Sequence, residues 1–231
     1  ACEGVSGGLF EIRLEDDLNA RESNFVISAY RTSYFMVTYD NSPNNASFEA
    51  PDGTLDEEEI KFQVSFQMPI ATELFEGETD LMFAYTSTAW WQLFNEEIDN
   101  PFRETNYRPE LFYLAPLPFH PFEGNTGFML GIEHQSNGRS QLLSRSWNRV
   151  YANLIFEKDN YALFFKPWWR LPEDEDEFPG DPDGDDNPDI ADFMGYFEFG
   201  GAYKWQDYEL SVMARRNVNT SNGALELGLS F

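Results

Sequence analysis

The chain is short of several things. It holds one cysteine, Cys2, in 231 residues, which excludes an intrachain disulfide. Basic residues are few: 15 Lys and Arg stand against 41 Asp and Glu, for a net charge of −26. Nucleic-acid phosphates require a basic surface, so that class of partner is excluded. Such acidity suits a salty or calcium-rich medium, but acidity alone specifies no partner. Long apolar runs are missing too, since polar residues break every one, and a transmembrane helix is therefore excluded. A membrane is not, because barrel strands alternate apolar and polar residues and give only a weak signal each. Only two histidines occur, His120 and His134. No signal peptide is legible. The start ACEG puts one residue before Cys2, and an unmodified N-terminal thiol is expected rather than a lipidated one.

Aromatic residues are abundant, at 17%, and fit the aromatic girdles of a membrane barrel. Residues 1–23 are polar and Gly-containing and are expected to be an irregular arm. Strand-like segments follow near Asn24–Tyr39, Glu58–Pro69, Thr79–Leu93, Tyr107–Ala115, Thr126–Gln135, Arg145–Glu157, Tyr161–Leu171, Ile190–Lys204, Tyr208–Asn217 and Ala224–Phe231. Most are long enough to cross a bilayer, which takes about 9–11 tilted residues. Connections alternate between long polar ones (40–57, 94–106, 136–144, 172–189) and mostly shorter ones, as in barrels with long external loops. The fold class expected is all-β, an antiparallel transmembrane β-barrel. A soluble β-sandwich is the alternative all-β reading.

The segment TGFMLGIEHQSNGRSQLLSRSWNRVY (126–151) sorts with a period of two. Phe128, Leu130, Ile132, His134 and Ser136 share one face; Met129, Gly131, Glu133, Gln135 and Asn137 share the other. On the next strand Ser146, Asn148, Val150 and Ala152 lie together. In a hairpin Asn148 can come opposite His134, so a serine, a histidine and an asparagine meet on an otherwise hydrocarbon surface. An enzyme attacking lipid needs that placement. The opposite face carries Glu133, Arg149 and Asn153, which predict an internal polar network. His120, in PLPFHPF, is expected to be a turn residue.

AYTSTAWWQLFN (84–95), NPFRETNYRPELF (100–112), HQSNGRS with SRSWNRVY (134–151), KPWWR (166–170), DDNPDIADFMGY (185–196) and GALELGLSF (223–231) resemble outer-membrane phospholipase A. The likeness runs from about the second strand to the last residue. It implies a calcium-dependent hydrolase of the bacterial outer membrane, with its active site near the extracellular leaflet and a homodimer as the active form. Position by position, the nucleophile matches Ser136, the base His134 and the residue orienting the base Asn148. The oxyanion donor matches the N–H of Gly138. The calcium ligands resemble the carbonyl of Arg139, the hydroxyl of Ser144 and a partner carbonyl at Asp99, where the family usually has serine. Gln135 stands where the family often has aspartate; it points inward and little catalytic effect is expected.

The resembling family has twelve strands, whereas ten segments are legible here. The barrel domain is therefore expected at 24–231, lacking the family's last two strands. The acidic run 173–189 is expected to be a solvated external loop, within which Asp185 or Asp186 could assist a second calcium site. Tyr85, Trp91 and Leu93 share parity and are expected to line a groove for acyl chains. The implied reaction is hydrolysis of phospholipid and lysophospholipid acyl esters through an acyl-serine. A passive barrel or pore that kept the motif is the competing class.

Overall fold

The computed structural model describes residues 27–45, 48, 54–75, 79–139, 143–175, 177–178 and 184–231. The expected arm at 1–23 and Cys2 lie outside them. Eleven strands form one antiparallel sheet: β1 (Ser28–Ala29), β2 (Tyr34–Tyr39), β3 (Glu58–Leu74), β4 (Thr79–Trp91), β5 (Phe102–Pro116), β6 (Asn125–Ser136), β7 (Ser146–Lys158), β8 (Tyr161–Arg170), β9 (Phe197–Trp205), β10 (Tyr208–Arg216) and β11 (Gly223–Ser230). Neighbours in sequence pair in space from β3 to β11, while β1 and β2 both pair with β3. The sheet is thus ten strands wide, as expected. The segment read as one strand, Asn24–Tyr39, is instead two short pieces. The break between them frees Arg31, whose backbone N–H donates to the Ser65 hydroxyl and whose guanidinium turns inward to Glu110.

A second correction concerns Ile190–Lys204. Its first part is a one-turn helix, α1 (Ile190–Met194), and the strand begins only at Phe197. Gly195 stops the helix at φ 69°, a left-handed conformation that glycine adopts without steric cost. Its carbonyl accepts from the Trp168 indole, and the Asn217 amide donates to the Ala191 carbonyl. These tertiary bonds outweigh the apolar pattern that reads as strand.

The sheet curls so that alternate residues face a filled interior. On β6, Glu133 is 2% exposed while its neighbour Ile132 is 53% exposed; on β7, Arg149 is 4% exposed. Glu133 takes an ion pair from Arg149, another from Arg108 at 3.0 Å and a third from Lys166 at 2.9 Å. Glu110 binds Arg31 at 2.8 Å and Lys166 at 3.4 Å. Arg31 follows β1 and Lys166 lies on β8, so these contacts span the concave side. Aromatic faces complete the packing: the Arg149 guanidinium lies 3.8 Å from the Trp147 ring centre and the Lys166 ammonium 3.8 Å from that of Tyr151. Burial of so many charges is tolerable because each has partners of opposite sign. The internal polar network read from Glu133, Arg149 and Asn153 is present for the first two, while the Asn153 amide turns to the Met129 sulfur at 3.5 Å.

The convex side is apolar. Leu130, Ile132, Leu154, Leu163, Val212 and Leu227 are exposed along its middle. Exposed aromatics crowd both ends: Phe75, Phe119, Phe122, Trp205 and Tyr208 at the end with short turns, Phe94, Phe102, Trp169, Phe193 and Tyr196 at the other. An apolar band between two aromatic girdles is the exterior of a membrane barrel. No helix among the described residues is long and apolar enough to cross a membrane; the strands are long enough. His120 sits at a turn, as expected, beside a 3₁₀ segment (Pro121–Glu123), its Nδ1 3.2 Å from the Gly124 carbonyl.

Four prolines lie within strands, Pro69, Pro109, Pro116 and Pro167, and Pro109 falls beside the site. Between β5 and β6, pairing holds at Tyr107–Ser136 and resumes at Glu110–Glu133. It lapses across Arg108 and Pro109, where proline offers no N–H. The gap falls beside Gln135 and His134.

Candidate active site

The β6–β7 hairpin brings His134 opposite Asn148, with Ser136 opposite Ser146 one rung-pair nearer the loop. His134, Ser136 and Asn148 are all half-buried and share the parity of exposed Leu130 and Ile132. They therefore belong to the outer wall. The His134 Nδ1 lies 2.9 Å from the Asn148 Oδ1. An amide oxygen only accepts, so Nδ1–H is the donor in this contact, and the neutral ring that makes it has Nε2 bare. The Asn148 amide nitrogen donates in turn to Glu173 Oε1, at 2.7 Å. Gln135 faces inward, bonded to the Asn106 amide oxygen and the Trp147 indole.

The loop after β6 is organised by Asn137, which is buried. Its Oδ1 accepts from the backbone N–H groups of Arg139 at 3.2 Å and Arg145 at 3.0 Å, and its amide donates to the Leu143 carbonyl at 2.9 Å. Within this knot Gly138 has φ +67°, and a Cβ there would stand 2.9 Å from the Tyr107 ring. Both the conformation and the space call for glycine. The Arg139 guanidinium donates to the Arg103 carbonyl at 2.6 Å.

Ser144 and Asp186, both expected near calcium, come together: the Ser144 hydroxyl donates to Asp186 Oδ2 at 2.6 Å, and the Ser146 hydroxyl reaches the same oxygen at 3.1 Å. One carboxylate beside two hydroxyls is a hard-oxygen set of the kind Ca²⁺ prefers. Among the described residues no three carboxylate, imidazole or thiol side chains converge to hold a metal by themselves. Asp185 binds Arg170 at 2.5 Å and accepts the Asn187 N–H at 3.0 Å. Asp99 lies in the exposed turn between β4 and β5, with φ 60°, on a different connection from Arg139 and Ser144.

Of the groove residues, Tyr85 and Trp91 lie on β4. Tyr85 tilts against Phe66, and Trp91 stacks on Phe102 with ring centres 5.5 Å apart. Leu93 lies beyond the strand, in a turn, because the backbone peels away as the Gln92 N–H bonds the Pro101 carbonyl. Its shared parity with Tyr85 and Trp91 does not continue there.

Three neighbours of the site escaped sequence reasoning. Tyr107 pairs across from Ser136 on β5; no periodicity reports a pairing across the 117–124 connection. Asn137 acts through three backbone bonds that its parity does not show. Glu173 sits in an acidic run that reads as solvated, and its described neighbourhood is tied down instead: the Leu171 N–H bonds the Asn148 carbonyl at 2.8 Å, and the Asp185 N–H bonds the Asp174 carbonyl at 2.8 Å.

Known proteins share this sequence family and fold. The family model described as phospholipase A1 matches residues 10–231. The phospholipase A1 of Escherichia coli (strain K12) is 36% identical over 218 residues, covering 93% of this chain and 72% of that protein. The solved outer-membrane phospholipase A from Escherichia coli superposes with a TM-score of 0.80 at 36% identity, over 90% of this chain and 83% of that one. A Salmonella typhi outer-membrane phospholipase, solved as a dimer with bound calcium, has a TM-score of 0.80 at 33% identity, over 91% of this chain and 80% of that one. The molecule is thus a bacterial outer-membrane β-barrel and a hydrolase of lipid esters. The chain belongs to the phospholipase A1 family.

Proposed function

We propose that this outer-membrane phospholipase cleaves phospholipid and lysophospholipid acyl esters with Ser136 as nucleophile, His134 as general base and Asn148 as the residue that orients the base. The observation that carries this reading is the 2.9 Å contact from His134 Nδ1 to the Asn148 amide oxygen, on the outward face and one rung-pair from Ser136. A serine hydroxyl is a weak nucleophile until a neighbouring base takes its proton. With the Nδ1 proton engaged by Asn148, the bare Nε2 accepts the Ser136 proton as Oγ attacks the ester carbonyl. The imidazolium then donates that proton to the departing lysophospholipid oxygen. Water, deprotonated by His134, next attacks the acyl-serine; fatty acid leaves and Ser136 recovers its proton.

Asparagine suits this wall better than aspartate. A lone carboxylate facing hydrocarbon costs several kcal/mol of desolvation, and a neutral amide orients the ring without that charge. The Gly138 N–H is the oxyanion donor in this reading. Ca²⁺ would be held by the Arg139 carbonyl, the Ser144 hydroxyl, the Asp186 carboxylate and the partner subunit's Asp99 carbonyl. When bound it supplies positive charge where the ester oxygen turns negative. The convergence of Ser144 and Ser146 on Asp186 supports this assignment. The carbonyl from a second copy makes the homodimer the active form. Tyr85 and Trp91 on the outer wall receive acyl chains, and the reaction takes place near the outer leaflet, at the end with long loops.

The test is ester hydrolysis on detergent-dispersed phospholipid, with calcium and then with chelator. Ser136→Ala is expected to lower kcat by about 10⁴ or more, and chelation to abolish turnover while the barrel stays folded. A Ser136→Ala protein with comparable turnover would remove Ser136 from the mechanism and favour the passive barrel.

A further inference from the structure

Asn148 has two ends, and the reaction tolerates only one of them facing His134. If the amide oxygen faces the ring, Nδ1 carries the proton and Nε2 is free to act as base. If the amide is turned over, its N–H₂ donates to Nδ1, the ring proton moves to Nε2, and that nitrogen cannot take a proton from Ser136. Asparagine alone does not choose between these states. Something on its far side must.

That group is Glu173. Its Oε1 accepts the Asn148 amide N–H at 2.7 Å. A carboxylate only accepts, so the turned-over amide would set oxygen against oxygen. The bonded sequence carboxylate–amide–imidazole therefore has one polarity along its length, ending in a bare Nε2. The carboxylate is itself positioned. Its other oxygen lies 3.9 Å from the Arg170 guanidinium, and Arg170 is anchored by Asp185 at 2.5 Å and the Pro188 carbonyl at 3.2 Å. The Leu171 N–H binds the Asn148 carbonyl, which clamps the chain two residues before Glu173 to the residue it orients. Glu173 is part-buried rather than solvated, its side chain 18% exposed.

We propose that Glu173 is a positioning residue for the hydrolytic site. It fixes the flip of Asn148, and with it the tautomer of His134, and its charge supports the imidazolium through the amide. The inference rests on the triad reading above. It also accounts for how a neutral triad gains a carboxylate: the charge comes from the loop after β8, while the hydrocarbon wall itself receives only an amide. An amide bonded to a carboxylate is polarised, and its oxygen becomes a stronger acceptor for the Nδ1–H.

The experiment is a set of variants in calcium-loaded, detergent-dispersed enzyme, each checked for barrel folding by heat-modifiable electrophoretic mobility. Glu173→Ala is expected to lower kcat by at least about tenfold, the equivalent of one charge-assisted hydrogen bond, with KM within about twofold. Glu173→Gln keeps an acceptor for the same N–H but loses the charge and can also donate to a turned-over amide, so a kcat between those of wild type and Glu173→Ala is expected. Asn148→Asp sets two carboxylates face to face and is expected to be the poorer enzyme. Combining Asn148→Asp with Glu173→Gln lets the introduced amide donate to the introduced carboxylate, and a gain of about tenfold or more over Asn148→Asp alone is expected. A purely structural role for the loop does not predict that rescue. A Glu173→Ala kcat within twofold of wild type overturns the proposal, as does a double variant no faster than Asn148→Asp. Should Glu173→Ala fail to fold, the cycle of Glu173→Gln with Asn148→Asp decides alone. Failure of the triad reading looks different: a wild-type protein that hydrolyses nothing, or a Ser136→Ala variant as active as wild type.

Discussion

The two faces of the β6–β7 hairpin solve the same problem in opposite ways. One rung carries Glu133 opposite Arg149, and the next carries His134 opposite Asn148. The first faces inward, where ionised groups are buried and paired several times over, with Glu133 meeting Arg108, Arg149 and Lys166. The second faces outward, among apolar side chains, and carries an imidazole and an amide in place of a carboxylate and a guanidinium. Charge is affordable on the concave side because counter-charges converge there from strands far apart in the sheet. The convex side meets lipid and offers none. The negative charge that supports chemistry on that side therefore arrives from a loop, at the rim.

The comparison can be broken from either side. Glu133→Ala removes one acceptor from four cations, Arg31, Arg108, Arg149 and Lys166, and leaves them crowded on the concave side; unfolding of the inserted barrel in urea is expected to need about 3–5 kcal/mol less. Ile132→Arg, one residue away but facing lipid, puts a charge into the apolar band. The same titration is expected to register about 2–4 kcal/mol, less if the site lies near the interface. An Ile132→Arg barrel as stable as wild type would mean that this wall does not face hydrocarbon. At the small end, Glu123→Gln removes an ion pair with Lys158 at 3.8 Å in which the Glu123 side chain is 95% exposed. Water already solvates that carboxylate, and Lys158 keeps its bond to the Phe122 carbonyl, so no measurable shift of the unfolding midpoint is expected.

Much of this was legible in the residues themselves. Alternation along 126–136 separates Ile132 and His134 from Glu133, and the parity of 146–156 puts Asn148 with His134. The turns at 159–160 and 206–207 fall among the shorter connections expected between the longer ones. The failures share a cause. Ile190–Met194 reads as the start of a strand, yet Trp168 and Asn217, from other parts of the chain, hold it and its glycine stop as a helix end. Leu93 keeps its parity in sequence and loses it in space, because the strand ends at Trp91. The acidic run 173–189 has no periodicity, so nothing local marks Glu173 as different from the carboxylates beside it.

Side-chain parity repeats every two residues and is a property of the extended backbone, so the sequence by itself determined which residues share a wall and that His134, Ser136 and Asn148 share one. Curvature decided which wall is outside, since the contacts that fill the interior join β1, β5, β6 and β8. The company kept by the active-site groups was likewise a tertiary matter. Glu173 reaches Asn148 across 25 residues of chain and Asp186 reaches Ser144 across 42. Contacts closed over such lengths depend on where the whole sheet places its loops, and no local pattern encodes them.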